Sequence, residues 1–295
     1  MWHLNNKRRL IQPHNLLRPL VEVVFLAAFL VGCGGTQSPM APAPTSSQAT
    51  PTTTTVPASE VRPELERNFQ GFKGAFVLYD LQNNRYIRYN PERCAERFIP
   101  ASTFKIMNSL IGLETGVIPD ADYVIKWDGA QNEIPAWNQD HTLRTAIQNS
   151  VVWYYQELAR RVGEKRMQEY VDAAHYGNKD ISGKIDTFWL EGGLRISANE
   201  QVEFLKRLYK GELPFSQRSM NTVKEILALE KTETSQLSGK TGSAQRVSPP
   251  ASWFVGYLET KGNVYFFATN IEGLDGTGDK AREIAQNILH DLGLR

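Results

Sequence analysis

The stretch Ser102-Thr103-Phe104-Lys105 decides how the rest of this chain is interpreted. Ser102 and Lys105 are three residues apart, so on a helix they lie on one face and can contact each other. Pro100-Ala101 before the serine and an apolar periodicity after it predict a helix that begins at or just before Ser102. A serine in that position lies beside unpaired backbone N–H groups and the positive end of the helix dipole, which favour a developing oxyanion. Alone the motif is weak, because Ser-x-x-Lys occurs by chance and also describes a solvated helix start.

Two later motifs occur in the order that a serine acyl-transfer enzyme needs. Ser150-Val151-Val152 follows first and Lys240-Thr241-Gly242 comes further along, with Tyr176-Gly177-Asn178 between them. Ser-x-x-Lys, a Ser-containing triplet and Lys-Thr-Gly together form the signature of penicillin-recognising serine enzymes. Three short motifs in the right order are far more specific than one.

On these motifs the chain resembles the class D (oxacillinase-type) β-lactamases over roughly residues 70–292. The resemblance extends to the runs at residues 98–105, 149–153 and 253–256. It implies hydrolysis of β-lactam antibiotics through an acyl-enzyme, and therefore β-lactam resistance. The catalytic residues that it implies are Ser102, Lys105 and Ser150, with Ser150 relaying a proton to the leaving nitrogen.

The third motif and its neighbours are expected to bind the substrate. By resemblance, Lys240 and Thr241 would bind the substrate carboxylate and orient the serine of the middle triplet. Gly242 would permit a close approach of its strand to the substrate. The backbone N–H groups of Ser102 and Ser243 would form the oxyanion hole, which typically contributes about 3 kcal/mol per donor.

An arginine is also expected at the substrate carboxylate. Arg282, in the first turn of the last predicted helix, resembles the carboxylate-binding arginine of the family. The loop at residues 273–278 makes that alignment uncertain, so a solvated Arg282 and a role for Arg246 instead are both kept as alternatives.

Lys105 can act as a base only if its ammonium loses a proton. The reference pKa of lysine is about 10.4, and burial lowers it by disfavouring the charge. We expect a dry pocket around this lysine, formed by Phe104, Val152, Trp189 and Leu190. By resemblance, the neutral amine would react with CO2 to give a carbamate, the general base for both half-reactions. The Trp189 indole N–H would donate to it, and no cofactor beyond CO2 or bicarbonate is implied.

Taken by itself, Val152 is as consistent with ordinary core packing as with a pocket around Lys105. A second candidate for the deacylation base is Glu191, by analogy with the Ω-loop glutamate of class A enzymes. Gly192-Gly193 next to it suggests a turn and an exposed carboxylate, which makes this role less favoured.

The pattern of the chain predicts an α+β fold. Residues 74–80 and 85–89 flank Asn83-Asn84 as a β-hairpin, and residues 102 to about 229 are mostly helical. Lys240 then lies in a strand, strands 253–258 and 264–269 follow, and an amphipathic helix covers 280–292. Strands at both chain ends imply an antiparallel sheet flanked by helices, with an inserted helical subdomain. The resemblance implies the same fold, with the active site in the cleft between its two parts.

The N-terminal region is predicted to be a targeting segment. Basic residues precede an apolar stretch at 23–31 that is too short to span a bilayer, which indicates a signal peptide at residues 1–32. Leu30-Val31-Gly32-Cys33 looks like a lipobox, so Cys33 would carry two acyl chains, enough for stable anchoring. Residues 33–62 are rich in Pro and Thr and would be a disordered tether before a folded domain at 63–295. The protein would thus be exported and membrane-anchored on the extracytoplasmic side; a plain signal peptide is the alternative.

Composition excludes several other functions. The net charge of +1 gives no reason to expect nucleic acid as a partner. The five histidines are scattered without metal-ligand spacing, so no metal site is expected. Cys94 would have no intrachain partner and is predicted to be a buried small hydrophobe. The pattern favours no particular oligomeric state.

Two other classes of protein use the same motifs. A β-lactam sensor domain becomes acylated and stays so, but belongs to receptors with several membrane helices, which the first 60 residues do not resemble. Penicillin-binding transpeptidases and carboxypeptidases also carry Ser-x-x-Lys and Lys-Thr-Gly, but usually have Asn where Val152 lies. We therefore expect a hydrolase.

Overall fold

The computed structural model describes residues 57–295. The strands in this part of the chain are β1 (Ala58–Val61), β2 (Lys73–Asp80), β3 (Arg85–Tyr89), β4 (Arg97–Phe98), β5 (Val124–Ile125), β6 (His141–Thr142), β7 (Ile196–Ser197), β8 (Ala228–Lys231), β9 (Ser235–Ala244), β10 (Ala251–Thr260) and β11 (Asn263–Glu272). Seven of them form one sheet in the order β1-β3-β2-β11-β10-β9-β8, while β4 pairs with β7 and β5 with β6.

Most of the helical segments lie between β3 and β8. The α-helices are α1 (Pro91–Ala95), α2 (Lys105–Glu114), α3 (Leu143–Gln148), α4 (Val152–Val162), α5 (Glu164–Ala173), α6 (Ala198–Lys210), α7 (Gln217–Ile226) and α8 (Gly278–Asp291). Short 3-10 helices cover Pro63–Phe69, Ala101–Phe104 and Pro135–Trp137. In the described range, no helix is long and apolar enough to cross a bilayer.

The sheet is built from both ends of the domain, as the sequence predicts. β2 pairs antiparallel with β11, with Val77 opposite Ala268. The predicted hairpin is present as β2 and β3. The two late strands run one to three residues further at each end than the sequence indicated, because pairing with neighbours extends them past the apolar residues.

One strand was not predicted. β1 runs parallel to β3 at the edge of the sheet, with Ala58 opposite Arg85. It therefore lies within residues 33–62, the range predicted to be a tether, and makes the sheet mixed. A polar edge strand has no apolar alternation; instead the Arg88 guanidinium donates to Ser59 Oγ at 2.7 Å. Residues 1–56, with the predicted signal peptide and Cys33, lie outside the described residues.

The core has two layers, one on each face of the sheet. Along β2, Ala75, Val77 and Tyr79 pack against the helical subdomain, while Phe76 and Leu78 pack with the apolar face of α8. Since both faces are covered, this strand is a continuous apolar run rather than an alternating one.

Helix α2 is the central element of the helical subdomain. Its residues from Lys105 to Gly112 are all buried, and a Cβ at Gly112 would come within 2.9 Å of Leu158 on α4. A helix that is covered on all sides is held firmly in place. Its N-terminus, where the first motif lies, is therefore a rigid platform.

Candidate active site

Ser102 and Lys105 are in direct contact. The 3-10 turn Ala101–Phe104 leads straight into α2, which begins at Lys105. This geometry puts Lys105 Nζ 2.6 Å from Ser102 Oγ. The helix start predicted at the serine is present, but its first turn is 3-10 rather than α.

Lys105 lies in a dry environment. Its side chain is 1% exposed, and burial, with a smaller effect from the positive charge of Lys240, holds the pKa of Lys105 well below its ordinary value. Its Nζ lies 5.5 Å from the centre of the Tyr155 ring. The shift favours the neutral amine, which is the form that can accept the Ser102 proton.

Ser150 and Lys240 form a second serine–lysine contact. Ser150 lies between α3 and α4 with φ of 54°, a left-handed conformation that is uncommon for a serine. Lys240 Nζ donates to Ser150 Oγ at 3.0 Å and to the Thr241 carbonyl at 3.0 Å. Burial lowers the pKa of Lys240 to about 7, with Asp279 acting in the opposite direction. The middle triplet and the third motif are thus brought together as predicted.

Gly242 allows two parts of the protein to approach each other. A Cβ at Gly242 would lie 3.0 Å from the Pro100 carbonyl oxygen and 3.1 Å from Thr103 Cγ2. The close approach therefore joins β9 to the turn that carries Ser102, a role that the sequence reasoning, which considered only the substrate, did not foresee. Next to it, Ser243 is exposed and its Oγ accepts from the Gly278 N–H at 2.8 Å.

The two candidate arginines lie in different places. Arg282 donates to Glu230 at 2.7 Å and lines a small cavity of about 120 Å³ together with Lys240 and Thr241. Arg246 is exposed and lines a larger cleft together with Ser243. The contact with Glu230 competes with the predicted role of Arg282 as a carboxylate ligand.

The predicted pocket around Lys105 divides into two parts. Phe104 and Trp189 are fully buried, and their rings stack with centroids 5.5 Å apart. Val152 and Leu190, in contrast, are half-buried and line the cleft. The Trp189 Nε1 group is buried and has no hydrogen-bond partner in the part of the chain that the structure describes.

Tyr176-Gly177-Asn178 supports the segment that carries Trp189. Asn178 Oδ1 accepts from the Arg195 N–H at 2.9 Å, and its Nδ2 donates to the Gly193 carbonyl at 2.9 Å. Gly177 has φ of 54°, and a Cβ there would collide with the Arg195 carbonyl oxygen. This motif therefore fixes the loop behind the pocket rather than lining the cleft itself.

A cleft of about 650 Å³ is lined by neighbours of all three motifs, among them Val152, Leu190 and Ser243. Its lining includes apolar side chains from Ile134, Trp137, Val152 and Leu190. Glu191 also lines it and is exposed, as Gly192-Gly193 suggested. A cleft of this size and mixed lining fits a small-molecule substrate.

Sequence reasoning missed several residues at the site. Tyr155 lies three positions after Val152 on α4, a spacing that could have placed it against Lys105. Asp279 and Gln201 gave no local signal, because each reaches the motifs from a distant helix. Cys94 is buried, as expected, with burial raising its pKa to about 12. Within residues 57–295, no group of His, Cys, Asp and Glu side chains is arranged to hold a metal ion.

The fold and the two serine–lysine contacts define a penicillin-recognising serine acyl-transfer domain. Residues 68–290 match the family model described as the penicillin binding protein transpeptidase domain. The chain is 43% identical over 230 residues to the probable β-lactamase YbxI of Bacillus subtilis, covering 78% of this chain and 85% of that protein.

Solved structures agree with this placement. The class D β-lactamase YbXI from Nostoc is 47% identical, with a TM-score of 0.76 and coverage of 79% of this chain and 100% of that one. The C-terminal domain of the Bacillus licheniformis BlaR penicillin receptor is 38% identical, with a TM-score of 0.77 and coverage of 81% and 98%. The chain belongs to the class D β-lactamase family of serine hydrolases.

Proposed function

We propose that this protein hydrolyses β-lactam antibiotics through an acyl-enzyme on Ser102, with Lys105 as the general base. The observation that carries the proposal is the 2.6 Å contact between Ser102 Oγ and the amine of the buried Lys105. Serine becomes a good nucleophile only when a neighbouring base takes its proton. Hydrolysis of the antibiotic would confer resistance to it.

In acylation, Lys105 accepts the Ser102 proton while Oγ attacks the lactam carbonyl. The N–H groups of Ser102 and Ser243 would stabilise the developing oxyanion. The C–N bond breaks, and Ser150 gives a proton to the leaving nitrogen. Lys240 donates to Ser150 at 3.0 Å and, when charged, attracts the substrate carboxylate.

Deacylation needs a base that can activate water. Carbamylation of Lys105 by CO2 would supply a carboxylate at the same place, and this carbamate would be the general base in both half-reactions. Two features of the pocket fit such a group: a buried amine whose pKa lies well below its ordinary value, and the buried Trp189 N–H that lacks an acceptor in residues 57–295. Phe104 stacks on that indole and shields the site from water.

The test is turnover of a penicillin by the purified full chain, with and without bicarbonate, after CO2 depletion at low pH. We expect hydrolysis that falls on depletion and returns with bicarbonate. Turnover that changes neither on CO2 depletion nor on addition of bicarbonate would contradict the proposed carbamate. Intact mass measured in parallel reports the acyl adduct on Ser102.

A penicillin receptor is the second candidate, because the BlaR domain is also similar. Such a domain would form a stoichiometric acyl adduct that persists. Sustained turnover in the same experiment favours the hydrolase, and a persistent adduct favours the receptor.

Export and lipid anchoring are proposed from the sequence of the N-terminal residues alone. The basic residues, the apolar stretch at 23–31 and Leu30-Val31-Gly32-Cys33 support them. Labelling with a radioactive fatty acid during expression should mark the wild type and not a Cys33→Ser variant. Equal labelling of both proteins would contradict acylation at Cys33.

A further inference from the structure

The turn that carries Ser102 is held from behind by a buried chain of hydrogen bonds. Gln201 on α6 is fully buried, and its Nε2 donates to Thr103 Oγ1 at 2.8 Å. That hydroxyl donates in turn to the Pro100 carbonyl at 2.7 Å. Pro100 and Thr103 flank Ala101 and Ser102, so one amide ties both ends of the segment that contains the nucleophile.

This segment needs such support. Ala101 has φ of 49°, a left-handed conformation that is strained for a residue with a Cβ. Strained backbone persists only where its surroundings hold it. On one side, the Ala101 N–H donates to the Trp189 carbonyl at 3.0 Å. On the other side, the hydrogen bonds from Gln201 through Thr103 to Pro100 hold the turn.

Stability alone does not account for a glutamine at this position. Gln201 Oε1 is buried and accepts no hydrogen bond in residues 57–295, and the buried Tyr176 hydroxyl beside it is likewise unpaired there. Apart from the Tyr176 and Thr103 hydroxyls, the nearby core is apolar, with Val202 and Leu205 buried on the same helix. A half-satisfied buried amide is less favourable than an apolar side chain of the same size.

We propose that Gln201 is a positioning residue that, through Thr103, holds Ser102 in line for attack on the β-lactam carbonyl. The inference rests on the proposed role of Ser102 as nucleophile. In acylation, the bond between Ser102 Oγ and the carbonyl carbon forms as the C–N bond breaks. The rate of acylation therefore depends on where Oγ lies. In deacylation, water is the nucleophile, so a looser turn should slow this step less.

The first test is Gln201→Met, which keeps the volume and removes the amide. The acylation rate constant with a chromogenic cephalosporin should fall about tenfold, as expected for loss of one buried hydrogen bond, while the deacylation rate constant changes less than twofold. Equal losses in both steps, or a lower Tm with unchanged acylation, would overturn the proposal. If the wild type itself formed no acyl adduct, the proposed function would fail instead.

A double-mutant cycle tests the path of the effect. Thr103→Val should slow acylation as Gln201→Met does, the double variant should be no slower than either, and Thr103→Ser should restore most of the rate. Additive losses would show that Gln201 does not act through Thr103. The matched control is Asn263→Leu, which removes a buried amide bound to Asp80 at the far end of the sheet and should leave the ratio of the two rate constants unchanged.

A pH profile supplies a readout that a purely structural role would not change. In Gln201→Glu the buried carboxyl has a raised pKa, so while protonated it can still donate to Thr103. Once ionised it can only accept, and Thr103 would turn from Pro100 towards it. Acylation by this variant should gain a second falling limb, in addition to the one that the wild type shows as Lys240 loses its charge near pH 7, and matching profiles would contradict the proposal.

Discussion

The side chains of Ser102 and Lys105 illustrate how burial changes the chemistry of a residue. An exposed lysine is an ammonium at neutral pH, whereas the burial of Lys105, which is 1% exposed, holds its pKa well below the ordinary value and favours the neutral amine. We predict that Ser102→Ala forms no acyl adduct and that Lys105→Ala slows both half-reactions about 10³-fold, within the usual range for loss of a general base. Intact mass and steady-state turnover check both variants. Full burst acylation by Lys105→Ala would contradict the role of this base in the first step.

A substitution at Val152 tests whether the pocket around Lys105 must stay apolar. An aspartate at this position, half-buried at the edge of the cleft, would favour the charged form of the nearby lysine and oppose carbamylation. We expect Val152→Asp to be acylated without turnover, as measured by a mass shift that persists after the free penicillin is removed. Val152→Leu, which keeps the site apolar, is the matched control and should turn over. Unchanged turnover by Val152→Asp would contradict the pocket argument.

Lys240 should give the reaction a pH dependence near neutrality. Its pKa is lowered to about 7 by burial, against the opposing effect of Asp279. The ammonium is therefore present below pH 7 and lost above it, so acylation by anionic β-lactams should weaken as the pH rises through 7. In Lys240→Arg the cation persists at high pH, and the falling limb should disappear from the profile of kcat/KM against pH. If kcat/KM fell at the same pH in the wild type and the variant, the fall would have to be assigned to a group other than Lys240.

Among the elements, the loop held by Tyr176-Gly177-Asn178 decides where Trp189 lies. A Cβ at Gly177 would collide with the Arg195 carbonyl oxygen and would also meet a φ of 54°. We expect Gly177→Ala to lower the free energy of unfolding by about 3 kcal/mol and to slow deacylation, because the indole shifts. Chemical denaturation and single-turnover kinetics measure the two effects.

Gly262 provides the control for this prediction. It has φ of 72°, and a Cβ there would meet no atom within 4 Å. Gly262→Ala should therefore lower the free energy of unfolding by only about 1 kcal/mol, because of backbone strain, and should leave the deacylation rate unchanged. Equal costs for the two variants would show that contact with Arg195 is unimportant.

Considered as a whole molecule, the domain gives up stability to bury two lysines. Because both pKa values are lowered in the folded state, the unfolded chain binds more protons between the folded pKa and about 10.4. The free energy of unfolding contributed by these groups therefore rises with pH across that interval and falls towards lower pH.

Lys105→Met tests this cost directly. In CO2-free buffer at pH 7, we expect the inactive variant to be more stable than the wild type by about 1–3 kcal/mol, because it no longer buries an amine that is charged in the unfolded chain. Urea denaturation at pH 7 and pH 10 gives the measurement, and the advantage should shrink at the higher pH. A variant less stable than the wild type at pH 7 would contradict the argument.

The sequence by itself determined the elements whose signals are local. The hairpin of β2 and β3, the late strands and α8 follow from apolar patterning and turn residues, and the sheet from both chain ends follows from their order. Ser102, Lys105, Ser150 and Lys240 could be named because short motifs keep their spacing in the chain. β1 could not be predicted, since a polar edge strand takes its pairing from a neighbour rather than from its own pattern.

The tertiary structure alone decided everything that depends on residues far apart in the chain. It put Gly242 against Pro100, Asn178 against Arg195, Arg282 against Glu230 and Gln201 against Thr103. It also set which pocket residues are fully buried and which line the cleft. The physical reason is that burial and desolvation, which lower the pKa of both lysines, are properties of packing across the whole domain and of no segment alone.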